Sequence, residues 1–240
     1  MSLAPSQWME VGFDVTYLVV IYGLVALMTA RPHSDPLLRR LREGFLLLAI
    51  GDTGHVGFRA LALLQGGLDA KGSLGRFSFS LIGVGAMATA ITVTLLYLLL
   101  LDVWRVRFHA ARGVTYWSLL AVGVVRLALL LAPQNQWGEV TPPLGWSLLR
   151  NAPLLVLGLG VAALFISSGR RAADKTFTQL GWLIVLSYAF YLPVILFVHL
   201  VPALGVLMVP KTLVYLVMAW LAYTRLFAPP RAGPLTSRAP

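Results

Sequence analysis

Seven apolar runs, each of roughly twenty residues or more, fill most of this sequence and leave only short connections between them. A helix needs about 20 apolar residues to cross the hydrocarbon of a bilayer, so each run predicts a transmembrane helix. The runs cover residues 11–30, 43–65, 77–101, 114–132, 146–168, 177–200 and 204–227. Only 12% of the residues are charged and 58% are hydrophobic; a soluble domain carries about twice that charged fraction. The expectation is an all-α, seven-transmembrane helix bundle forming one integral membrane domain over residues 1–227. The Pro-rich polar stretch 228–240 reads as a disordered cytoplasmic tail.

The connections fix a direction. The first, third and fifth, with the C-terminal end, hold thirteen Lys and Arg, whereas the second, fourth and sixth hold two, Lys71 and Arg76. Basic loops stay on the cytoplasmic side, so the N-terminus is expected outside and the C-terminus inside, in a bacterial plasma membrane. The first ten residues lack the basic region of a signal peptide, which makes the first run a retained helix. The net charge of +10 is accounted for by these loops, and no interleaving of basic and aromatic residues indicates a nucleic-acid partner. Without cysteine, disulfides, thiolate metal sites and a cysteine nucleophile are excluded. Pro153, Pro193 and Pro210 fall in the last three runs and none falls in the first three. No matched breaks support a transporter-like repeat, and the second half reads as the adaptable part.

Charged side chains inside the runs are costly and usually functional. Arg59, Arg126, Arg150 and Lys211 lie there, with Asp14, Asp52 and His55. Helix direction places Asp52 and His55 near the midplane and the other five toward the outside. Asp52, His55 and Arg59, spaced i, i+3, i+7, form one stripe, which must face the bundle interior. Lys211 and Arg150 admit two readings, because their side chains lean toward the outer helix end and can snorkel to the headgroups. Arg59 and Arg126 lean back toward the midplane, which favours an internal partner such as Asp52 or Asp14. Asp52 and His55 also read as a purely structural pair, Tyr188 and Tyr191 as packing residues, and Asn151 as an interhelical hydrogen-bonding group. Four cations against two acids leave net positive charge, which suits a phosphate or carboxylate held by the arginine fork. Gly85, Thr89 and Thr92 would let backbones close around such a site.

Several chemistries have no motif here. There is no HExxH or HxxxH, no metal site is expected, and a zinc hydrolase of the ceramidase type is disfavoured. No GxSxG elbow occurs, and no glycine-rich phosphate loop does. A lysine on the seventh helix invites a retinal-binding, rhodopsin-like reading with a Schiff base at Lys211. Its position toward the outside, and the missing acid one turn before it, count against that reading.

Four stretches, GDTGHVGFR, AITVTLLYLLLLDVWRVRF, RNAPLLVLGL and LMVPKTLVYLVMAWLAY, together resemble a family of small bacterial seven-helix integral membrane proteins. The likeness runs from the second span through the seventh. It implies the same topology and marks the same polar residues, and it gives no substrate. Gly54 stands where the family is expected to have a bulky aromatic and Phe58 where it has a proline, departures that would widen the space beside the stripe.

The leading expectation is a receptor-like protein whose outward-facing cationic pocket binds or senses an anionic amphiphile or small anion. Arg59, Arg126, Arg150, Asn151, Lys211, Asp14, Tyr188 and Tyr191 would line it, with membrane lipids as partners and no cofactor specified. The alternative is a membrane-embedded, lipid-acting hydrolase with His55 as acid/base oriented by Asp52. A transporter is a third reading, for which the nearly uncharged cytoplasmic half of the spans offers no polar path.

Overall fold

The computed structural model describes residues 5–31, 34–67, 69–74, 77–139 and 143–228. Among them run seven α-helices: α1 (Pro5–Thr29), α2 (Pro36–Leu64), α3 (Leu81–Arg107), α4 (Val114–Leu131), α5 (Leu144–Arg171), α6 (Lys175–Phe197) and α7 (Met208–Ala222). Each of the seven segments is long and apolar enough to cross a membrane, the last one counted from Pro202 to Phe227 with its flanking turns. The surface agrees. Val19, Val125, Val156, Leu131 and Trp220 all stand exposed around the bundle, an apolar exterior that hydrocarbon solvates and water does not. The chain is therefore a multi-pass membrane protein built as a seven-helix bundle. The tail 229–240 lies outside the described residues.

Helix ends depart from the apolar runs where local chemistry overrides hydropathy. α2 starts at Pro36, ahead of the expected residue 43. Asp35 caps it, its Oδ1 accepting from the Leu37 N–H at 2.8 Å, with Pro36 in the first turn. Leu37, Leu38 and Leu41 then bury one face of that added stretch, which carries Arg39, Arg40 and Arg42 on a helix and not in a loop. The third span starts later than expected. Residues 77–80 form a strand, β2 (Phe77–Ser80), antiparallel to β1 (Lys71–Leu74), with Gly72 opposite Phe79. The alternation of FSFS suits a strand's period of two, and its aromatic content had made it look like membrane helix. Ser80 then caps α3, accepting from Gly83 N–H at 3.1 Å. The seventh span is α-helical only over Met208–Ala222. A 3₁₀ stretch (Pro202–Leu207) leads in and a π turn (Tyr223–Phe227) leads out. Pro210 falls in the first turn of α7, where no intrahelical N–H bond is lost, so it starts the helix and does not bend it. Pro153 and Pro193 are interior to α5 and α6.

α2 and α3 form the most extensive helix pair. Gly51 makes this possible: a Cβ there would overlap the Thr92 side chain, and Thr89 Oγ1 donates to the Gly51 carbonyl at 2.9 Å. A Cβ at Gly85 would come within 3.0 Å of the His55 backbone. Gly85, Thr89 and Thr92, expected to let backbones close around an anion site, lie in the contact between α2 and α3. Gly54 faces Ala88 of α3, 3.2 Å from where its Cβ would be, so the room it leaves is taken up by helix packing.

One end of the bundle gathers the arginines. Asp102 of α3 pairs with Arg40 of α2 and, at 2.7 Å, with Arg105. Arg107 reaches Asp174, the cap of α6, at 2.7 Å and lies 5.7 Å over the Phe177 ring. Trp104 Nε1 donates to Ser168 Oγ of α5 at 2.9 Å. α2, α3, α5 and α6 are thereby tied together at this basic end.

Candidate functional site

The opposite half of the bundle holds a polar cluster that helix faces dictate. On α4 the buried residues are Tyr116, Leu119, Gly123, Arg126 and Leu130, a stripe of alternating three- and four-residue steps. Arg126 therefore points inward with the leucines and is only 2% exposed. On α7 the buried face is Lys211, Val214, Tyr215, Met218, Ala219 and Ala222, which turns Lys211 into the bundle as well, at 9% exposed. Its ammonium lies 4.2 Å from the centre of the Tyr191 ring and 5.6 Å from that of Tyr215, within cation–π range.

Tyrosines make up most of the rest of the cluster. Tyr97 and Tyr215 hydroxyls meet at 3.1 Å. Tyr188 donates to the Leu154 carbonyl at 2.9 Å, its ring lying where a side chain at Gly158 would otherwise be. Tyr191 donates to Asn151 Oδ1 at 3.1 Å, while Asn151 Nδ2 donates to the Ser147 carbonyl at 2.8 Å. Tyr188 and Tyr191 thus combine packing with α5 hydrogen bonds, and Asn151 is the interhelical polar group the sequence suggested.

Asp52 is gripped from α1. Tyr17 Oη donates to its Oδ2 at 2.6 Å, the short distance of a charge-assisted bond. Lys211 lies within electrostatic reach of both Asp52 and Arg126. Asp14, His55 and Arg59 are each partly buried, and α2 is unbroken through residues 52–59, so Asp52, His55 and Arg59 keep their shared stripe.

Arg150 behaves differently from Lys211. Its guanidinium lies 4.2 Å over the Trp137 ring and Nη1 donates to Asn135 Oδ1 at 3.3 Å. Both partners belong to the α4–α5 connection. Asn135 is fixed there by donating to the Leu129 and Ala132 carbonyls, and Trp137 by donating to that of Leu130. The side chain reaches toward its helix end, as snorkelling would have it, but onto protein. It remains close enough to Arg126 for their charges to interact.

Arg126 is the unusual member. Its Nε and Nη1 are buried without a hydrogen-bond partner among the described residues. Tyr97, Tyr188, Tyr191 and Tyr215 are its tyrosine neighbours. Three cations, Arg126, Arg150 and Lys211, are grouped here, with Asp52 as the acid within reach of Lys211. No group of three or more metal-ligating side chains occurs among the described residues.

Sequence reasoning missed Tyr17, Tyr97, Tyr215, Asn135 and Trp137. Tyr215 was accessible, since it stands i+4 from Lys211 on the same helical face. Tyr17 likewise stands i+3 from Asp14. Tyr97 carries no local sign of its role, because its partner lies 118 residues away.

No protein-family model matches the chain, and neither a curated protein nor a solved structure does. What stands is the class: a seven-helix, multi-pass membrane protein with a buried cluster of cations and tyrosines.

Proposed function

We propose that this protein binds or senses an oxyanion, a carboxylate or phosphate group on an amphiphile or a small anion, at Arg126, Lys211 and Arg150. The reading rests on one observation: the buried Arg126 has two guanidinium nitrogens without a hydrogen-bond partner among the described residues. Leaving a buried charged donor unsatisfied costs several kcal/mol, and an oxyanion would supply the missing acceptors two at a time. Lys211 and Arg150 add positive charge, and Tyr191 links the two sides of the site. The N-terminus and the arginine-poor half would face outward, so that the ligand arrives from outside or from the outer leaflet. Membership of the small bacterial seven-helix family, and with it a bacterial plasma membrane, belongs to the same proposal.

The test is native mass spectrometry and thermal unfolding of protein purified in mild detergent, with inorganic phosphate and phosphatidylglycerol as probes. Stabilisation by phosphate without a lipid adduct assigns a free anion. A retained phosphatidylglycerol that is lost in the folded Lys211→Met, Arg150→Met variant assigns a headgroup. Neither effect, or equal binding by that variant, overturns the proposal.

A further inference from the structure

A second candidate site lies at the basic end, on the outside of the bundle and away from Arg126. A groove of about 600 Å³ runs along the α2–α3 seam. Leu46 and Ile50 of α2 and Leu95 and Leu99 of α3 form its apolar length, Tyr116 of α4 flanks it, and Glu43 and Asp102 line its polar end. Glu43 to Ile50 spans about 10 Å of helix. Leu46 and Ile50 are partly exposed, so the groove opens sideways onto the surface that hydrocarbon covers.

The polar end carries both signs of charge. The lining groups are carboxylates, and each is paired with arginine. Glu43 faces Arg39 at 3.7 Å, and Asp102 is held between Arg40 and Arg105. A purely anionic headgroup would meet the two acids first. A choline headgroup would bring a cation with no N–H to donate. A primary ammonium has three donors for carboxylate oxygens, and a phosphate one linker away suits the arginine forks.

We infer that this groove binds a glycerophospholipid with a primary-ammonium headgroup, a phosphatidylethanolamine, in the leaflet at the basic end. One acyl chain lies along Leu46, Ile50, Leu95 and Leu99. The ammonium sits at Glu43 and Asp102, and the phosphate at Arg40 and Arg105.

The experiment is competition by native mass spectrometry. Delipidated protein receives equimolar phosphatidylethanolamine, phosphatidylglycerol and phosphatidylcholine with matched chains. Site occupancy is the fraction lost in an Ile50→Trp variant, a change at an exposed position that fills the groove. In that fraction phosphatidylethanolamine should exceed phosphatidylcholine about tenfold, the effect of one hydrogen bond to a charged group. Glu43→Gln should bring the two close to parity. Equal retention of these two lipids by the unaltered protein overturns the inference. So does preference for phosphatidylglycerol, an Ile50→Trp variant that loses no lipid, or a preference unchanged in Glu43→Gln.

Discussion

Arg126 is buried and Asp52 half-buried, and their surroundings treat the two in opposite ways. Asp52 receives a short hydrogen bond from Tyr17. Tyr17→Phe should therefore destabilise the protein by about 1.5–3 kcal/mol, the range for hydrogen bonds to charged groups, measured as a lower thermal midpoint in detergent. Arg126 is inserted among tyrosines with two nitrogens unsatisfied. A buried charge that is left short of hydrogen-bond partners is costly to keep out of water. Arg126→Met should then unfold at an equal or higher temperature than the unaltered protein when both are ligand-free, and should lose the stabilisation conferred by the anion. A large destabilisation of the ligand-free variant would mean that Arg126 holds the helices together and does not wait for a ligand.

At the scale of elements, the α2–α3 pair depends on missing side chains. Gly51→Val would drive a branched side chain into Thr92, and Gly85→Leu would press on the His55 backbone. Each should cost about 1–3 kcal/mol, the range for overpacking, checked by thermal unfolding. Gly85→Leu should also disturb His55 without replacing any polar group. All seven spans were legible because a long, uninterrupted apolar run is soluble in hydrocarbon and satisfies its backbone there only as a helix. Two edges were not. Hydropathy registers where hydrocarbon begins and not where a helix does, so the capped, half-buried PLLRRLRE turn of α2 went unread although Leu37, Leu38 and Leu41 share a helical face. FSFS is apolar enough to extend a span, and only its two-residue period marked a strand. The site was half legible for the same kind of reason. Arg126 and Lys211 fall on buried stripes that periodicity reveals. Which tyrosine meets which cation depends on how α3, α5, α6 and α7 pack, and no local pattern encodes that.

For the whole molecule, the absence of cysteine makes orientation directly measurable, since a single introduced thiol has no background. With Arg171→Cys at the end of α5 and Gln136→Cys in the α4–α5 connection, a membrane-impermeant maleimide added to intact cells should label only position 136. The reverse pattern would invert the orientation. The basic end should also matter to cohesion. Asp174 pairs with Arg107 and caps α6 through Phe177 N–H at 3.1 Å, so Asp174→Ala should cost about 1–2 kcal/mol. High salt should remove the ion-pair share of that loss and leave the capping share.

The stacking of Arg150 over Trp137 has an optical consequence. Indole emission responds to a charge a few ångströms from its ring, and this cation stands 4.2 Å from the ring centre. An arriving oxyanion that draws the guanidinium aside, or neutralises it in place, would change the field on that one chromophore. The protein thus contains its own indicator dye. The difference spectrum between the unaltered protein and Trp137→Phe isolates that signal from the other six tryptophans, and would let occupancy be followed in real time without a label.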